Sequence, residues 1–86
     1  MDKLPKVILY SKPDCPLCDD AREALGRVRE RTPFDLEEID IATDRQLEAV
    51  YRERIPVIAV DGRELFDFHV DELVLERSLA AGAPAR

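Results

Sequence analysis

The only two cysteines of this chain, Cys15 and Cys18, enclose two residues in the stretch Ser11-Lys12-Pro13-Asp14-Cys15-Pro16-Leu17-Cys18-Asp19-Asp20. Thiols at that spacing can alternate between dithiol and disulfide, supply half of a metal site, or staple a short loop. The first chemistry needs a thiolate, because the thiolate is what attacks sulfur. A helix start supplies the right surroundings: unpaired backbone N–H groups and the positive end of the helix dipole converge there. Pro16 fits the first helical position, where a missing N–H costs nothing. Cys15 then lies at the helix start, while Cys18 falls beside Leu17, Ala21 and Leu25 on the apolar side. We therefore expect Cys15 to be the exposed nucleophile and Cys18 the buried resolving thiol. Motifs of this kind bring a thiol pKa into a range of roughly 3.5 to 7.5. Lys12 favours the thiolate, and Asp14, Asp19 and Asp20 oppose it wherever they lie close.

The other two chemistries are weaker. A disulfide across so short a loop stabilises a fold by only about 2 kcal/mol in the chain-entropy account. A structural zinc site takes four ligands; the pair supplies two, and His69, the one histidine of the chain, brings the total to three. A closed site within one chain is disfavoured, which leaves a metal shared between two chains as the alternative.

The elements that must position these thiols can be read from periodicity. Lys6 to Tyr10 is a short β-branched and aromatic run, the pattern of a strand buried on both faces. Leu17, Ala21, Ala24, Leu25 and Val28 then recur at helical spacing until Thr32-Pro33 stops them, with Glu23 and Arg27 as a solvated i,i+4 pair on the far side. Phe34 to Ile41 reads as a second strand whose apolar phase changes between two glutamates, which predicts a bulge or a sheet-edge position. Thr43-Asp44-Arg45-Gln46 matches a capping box, with Leu47, Val50 and Tyr51 as the buried stripe of a short helix. Val57 to Val60, the turn pair Asp61-Gly62, and Arg63 to Phe68 predict a β-hairpin in which Phe66 and Phe68 pack against the sheet. Asp71 is the expected N-cap of a last helix. Val70 and Leu75 form its hydrophobic staple, Leu79 lies on the same face and Leu73 opposite. Residues 82–86 read as a frayed tail.

This order, βαβαββα, predicts an α/β domain over residues 1–86. A right-handed crossover pairs the first two strands in parallel, the hairpin adds an antiparallel half to make a four-stranded mixed sheet, and helices cover both faces.

Composition narrows the function classes. With 86 residues, 19 acidic against 13 basic and a net charge of −6, the chain has no basic cluster with which to bind nucleic acid or an anionic membrane surface. Its longest apolar runs are a few residues, far short of the roughly 20 that span a bilayer. Met1-Asp2-Lys3-Leu4-Pro5 has no signal-peptide core. These features point to the cytosol, where a cysteine pair is kept for redox or metal chemistry rather than for stability.

Taken together, the first strand, the Cys15-Pro16-Leu17-Cys18 helix start, Ile55-Pro56-Val57, the hairpin and the final helix resemble the glutaredoxin branch of the thioredoxin-like proteins. They are closest in kind to its short bacterial members, and the likeness runs from about Lys6 to Ala81. The resemblance implies a cis peptide bond before Pro56 and a loop, Ile55-Pro56, lying against the nucleophilic sulfur and presenting backbone to an extended thiol substrate. It implies that Lys12, Pro16 and Leu17 border the same groove, Leu17 standing where typical members have tyrosine. The stretch Glu64 to Asp71 has no glycine pair of the kind that holds the γ-glutamyl end of glutathione. The implied activity is reduction of protein or small-molecule disulfides by a monomer without metal or organic cofactor. Its reducing partner would be glutathione, which could also be a co-substrate, or a thioredoxin-type reductase. The alternatives are an iron-sulfur cluster or zinc held between two chains, and an interaction module whose cysteines do no chemistry.

Overall fold

In the computed structural model, which describes residues 4–80, the sheet has strand order β2-β1-β3-β4. Its strands are β1 (Lys6–Ser11), β2 (Asp35–Asp40), β3 (Val57–Val60) and β4 (Arg63–Asp67); the helices are α1 (Pro16–Arg31), α2 (Arg45–Tyr51) and α3 (Glu72–Ala80). β2 runs parallel to β1, and β3 runs antiparallel to both β1 and β4. The expected βαβαββα order is therefore present. The tail expected at 82–86 lies outside the described residues.

Strand parity divides the core. Val7 and Leu9 of β1 stand opposite Val60 and Ile58 of β3, so all four share one face. That face packs on Ala21, Leu25 and Val28 of α1, on Leu75 and Leu79 of α3, and on Phe34, which precedes β2. The other face carries Tyr10, whose ring stacks on Tyr51 of α2 at 4.4 Å between centroids. Helices thus cover both faces, but unequally. Only the α1/α3 face of β1 is fully buried, with Ile8 and Tyr10 partly exposed; the strand buried on both faces is the central β3. β1 itself falls short of the expected two-sided burial because α2 is only two turns long and covers little of its side.

The irregularity expected in the second strand is elsewhere. β2 pairs with β1 in continuous register from Lys6↔Asp35 to Ser11↔Asp40, and its mixed pattern is that of an edge strand. The slip is in the hairpin, between Ile58 and Ala59, where β4 carries one extra residue, Leu65. That bulge lets Leu65 and Phe66 both pack on the core. The turn has the expected form, with φ of 49° at Asp61 and 86° at Gly62, as a type I′ turn requires. Asp61 also ties the hairpin to β1 by accepting the Lys6 N–H at 3.0 Å.

The capping box at Thr43 is displaced by one residue. Residues Ile41–Thr43 form a single 3-10 turn, and Asp44 is the N-cap of α2, its carboxylate accepting the N–H groups of Gln46 and Leu47 at 2.9 and 3.2 Å. The Thr43 hydroxyl instead donates to the Asp40 carbonyl at 2.7 Å. No residue of α2 is fully buried and Val50 is 57% exposed, so its expected apolar stripe reduces to Leu47 and Tyr51, both half-buried. Ile41, at the head of the 3-10 turn, takes the buried position instead.

The last helix begins as expected. Asp71 accepts the Val74 N–H at 3.2 Å, Val70 packs on the cluster that contains Leu75, and Leu73 points outward at 69% exposure. Arg27 does not pair with Glu23. It reaches across to Glu72 of α3 at 2.8 Å, and Arg31 adds a second bridge to Glu72 and one to Glu76, clipping the two helices together on their solvent side.

Candidate functional site

The end of β1 and the start of α1 place the cysteines. Cys15 has extended backbone, φ −119° and ψ 101°, and is the N-cap of α1; Pro16 is the first helical residue. The Cys15 sulfur accepts the Cys18 backbone N–H at 3.2 Å, so it occupies the place an N-cap oxygen usually fills. Cys18, one turn on, is fully buried, and the two sulfurs are joined as a disulfide across a Cα–Cα distance of 5.1 Å. The inequality expected of the pair is therefore present: Cys15 is partly exposed and Cys18 is not.

Cys18 packs with Ile41 and Ile55 in a small cluster apart from the main core, to which Tyr10, Cys15, Leu47 and Tyr51 contribute. This cluster brings the Ile55-Pro56 loop to the cysteine pair across 37 residues of sequence. The Ile55-Pro56 bond is cis, as the resemblance implied. Ile55 donates its N–H to the Tyr51 carbonyl at 3.1 Å, and Pro56 is less than 2% exposed. A second layer fixes the loop. Arg54 pairs with Glu64 at 2.7 Å and reaches Asp67 at 3.4 Å, while the Tyr51 hydroxyl donates to Glu64 at 2.8 Å. That hydrogen bond and partial burial push the Tyr51 phenol up to about 12, so it stays a donor throughout the neutral range.

The remaining expected site residues fall in two places. Pro16 and Leu17 stand exposed on the first turn of α1, Leu17 at 38%. Leu17 is therefore not part of the apolar stripe to which its spacing assigned it; Cys18 takes that inward position. Lys12 is exposed in a hollow lined by Ser11, Pro13, Arg22, Glu38 and Asp40, on the β2 side of the motif. His69 is exposed after β4, as a loop residue.

That hollow contains a polar network the sequence did not disclose. Buried Ser11 donates to Glu38 at 2.7 Å, Arg22 grips the same carboxylate through two nitrogens, and Arg22 also bonds Asp19 at 2.7 Å. Arg22 holds the Glu38 carboxyl below its ordinary value of 4.5, with Ser11 assisting against partial burial. Because Glu38 is more acidic folded than unfolded, the contribution is present above pH 4.5 and is lost as pH falls through the lower native value. The Glu38→Gln variant is expected to show a flatter decline in urea midpoint below pH 4.5 than the parent protein, with the two curves parallel at neutral pH. Nothing local marks this trio, since Ser11 and Glu38 are 27 residues apart.

A cysteine pair at a helix start after the first strand, with a cis-proline loop packed beside it on a mixed sheet, defines a thioredoxin-like protein of the glutaredoxin-like kind. The comparisons agree and narrow this. Residues 6–80 match the family described as Glutaredoxin-like domain (DUF836), and the chain belongs to that family. It is 31% identical over 81 residues to Rv0508, an uncharacterized protein of Mycobacterium tuberculosis, covering 88% of this chain and 84% of that one. Among solved structures it is similar to the structural-genomics target XcR50 from X. campestris. That match has 39% identity and a TM-score of 0.75 over 91% of this chain and 99% of the other. A mutant thioredoxin from Halobacterium salinarum shares the fold alone, at 19% identity and TM-score 0.66, over 93% of this chain and 75% of that one. No helix among the described residues is long and apolar enough to cross a membrane.

Proposed function

We propose that this protein is a cytosolic thiol-disulfide oxidoreductase that works through Cys15 and Cys18. The observation that carries the reading is the N-cap position of Cys15: its sulfur already accepts a helix N–H, and the same donor and dipole favour a thiolate when the disulfide is opened. In the reducing direction the Cys15 thiolate attacks one sulfur of a substrate disulfide. A Cys15 mixed disulfide forms, and the other substrate sulfur leaves as a thiolate that takes a proton from water. Cys18, deprotonated, then attacks the Cys15 sulfur, forming the Cys15–Cys18 disulfide and releasing the second substrate thiol. The substrate gains two electrons and two protons, and the protein loses the same. A thiol reductant, glutathione or a thioredoxin-type reductase, returns the pair to the dithiol. The Ile55-Pro56 loop supplies backbone beside the sulfur for an extended substrate, and Pro16 and Leu17 supply the exposed rim. Lys12 offers a cation to a substrate carboxylate from the neighbouring hollow.

Equilibration in glutathione buffers of graded potential, with species read by intact mass, tests this. The expected result is a reversible loss of two hydrogens with a single two-electron midpoint, about 30 mV per tenfold change in equilibrium constant. No reversible change across the buffer range overturns the redox reading. A colour-bearing, metal-containing dimer after anaerobic preparation would transfer support to a shared metal site.

A further inference from the structure

The bulge in β4 decides which of its side chains meet α2. Residues three apart on a regular strand point to opposite faces, but Leu65 is an extra residue between Glu64, which stands opposite Ala59, and Asp67, which stands opposite Val57. Ala59 and Val57 in turn face Ile8 and Tyr10 of β1, so Glu64 and Asp67 both lie on the side of the sheet that carries the Tyr10–Tyr51 stack. The bulge thus gathers two carboxylates, and Arg54 reaches both, Glu64 at 2.7 Å and Asp67 at 3.4 Å. Each oxygen of Glu64 is engaged: Arg54 donates to Oε1, and the Tyr51 hydroxyl donates to Oε2 at 2.8 Å. The Arg54 guanidinium also lies over the Tyr51 ring, 5.5 Å from its centroid.

These contacts close on the loop beside the cysteines. The Tyr51 carbonyl accepts the Arg54 N–H at 2.8 Å and the Ile55 N–H at 3.1 Å, and the Tyr51 side chain packs on the cluster of Cys18, Ile41 and Ile55, as Cys15 does. One residue therefore ties the end of α2, the start of the loop and the surroundings of the sulfurs together. Packing alone cannot hold it there, since α2 has seven residues and none is fully buried. Nor do the half-exposed ion pairs of Arg54 add much to global stability. What Glu64 fixes is position, and displacing a positioning element by about 1 Å is enough to cost a large factor in rate.

Resting on the oxidoreductase reading, we infer that Glu64 is a positioning residue: through the Tyr51 hydroxyl and the Arg54 guanidinium it holds the Ile55-Pro56 loop in place against the cysteine pair. The test sets two reactions of the reduced protein side by side. Reduction of a peptide disulfide needs the loop to receive the substrate, whereas alkylation of Cys15 by iodoacetamide needs only the thiolate. Glu64→Ala is expected to lower kcat/KM on the peptide by about tenfold or more. Its alkylation rate should stay within about threefold of the parent, because an exposed charge is screened by salt, and its melting temperature within about 8 °C. Tyr51→Phe removes only the hydroxyl and keeps the ring stack; it should show the same contrast, and it carries the test if Glu64→Ala does not fold. The double variant should fall within about twofold of Glu64→Ala alone, since both changes break one bond. Parental kcat/KM in the single variants, an equal fall in alkylation and peptide reduction, or losses that multiply in the double variant overturns the inference while leaving the redox reading standing. A parent protein that reduces no peptide disulfide overturns the redox reading itself, and the inference with it.

Discussion

Replacing Cys15 with serine is expected to lower disulfide reductase activity by more than about a thousandfold, the scale on which loss of a nucleophile registers in covalent catalysis. The reason is positional as well as chemical. Only the Cys15 sulfur is both partly exposed and at the helix N-cap, and serine there still accepts the Cys18 N–H, so the helix start survives while the nucleophile does not. Cys18→Ser should behave differently. The first attack remains, but nothing buried behind it can release the mixed disulfide, so substrate accumulates covalently on Cys15. The check is a pair of measurements: turnover with a model disulfide, and intact mass under non-reducing conditions. Trapped adduct on Cys18→Ser and none on Cys15→Ser is the expected pattern. The reverse pattern would exchange the roles of the two thiols. Unchanged turnover in both variants would make the pair chemically idle and the domain an interaction module.

Phe34→Ala should be the most damaging of the core truncations on fold. Phe34 is 1% exposed, the largest of the fully buried side chains, and sits where the chain leaves α1 for β2. It joins α1 to the sheet within the main core. Arg29 lies over the ring at 5.8 Å and donates to the Phe34 carbonyl at 2.9 Å, which ties both ends of the connection. Truncating a buried phenylalanine costs about 3 to 5 kcal/mol. Against a total stability of about 5 to 15 kcal/mol this is a large share. At about 4 °C or more per kcal/mol for a domain of this size, the melting temperature should fall by at least about 12 °C. Val50→Ala, on the exposed side of α2, should change stability by no more than about 0.5 kcal/mol. Thermal melts of the two variants check both values, and a Phe34→Ala protein melting within a few degrees of the parent would contradict the assigned core.

The sequence by itself determined the order of the elements, the hairpin at Asp61-Gly62, the caps at Cys15 and Asp71, and the inequality of the two thiols. All of these depend on neighbours within one turn of helix or strand: a proline at the first helical position, a turn pair between apolar runs, a carboxylate ahead of a helix. The resemblance carried Ile55 and Pro56 to the site, which local spacing alone could not have done. Where reading by spacing failed, the competing contact came from far along the chain or from the fold's own economy of burial. Leu17 fits the helical stripe but yields the inward place to Cys18, because the first turn of α1 packs Cys18 against Ile41 and Ile55. Thr43 resembles a cap, yet the 3-10 turn after β2 shifts the start of α2 by one residue to Asp44. Arg27 finds Glu72 rather than Glu23 because α3 packs beside α1. Tertiary structure alone decided the Ser11–Glu38–Arg22 network and the hydrogen bond from the Phe68 N–H to the Pro56 carbonyl. In the first, a residue of β1, one of β2 and one of α1 meet; in the second, the residue after β4 meets the one before β3, and no local periodicity records such meetings.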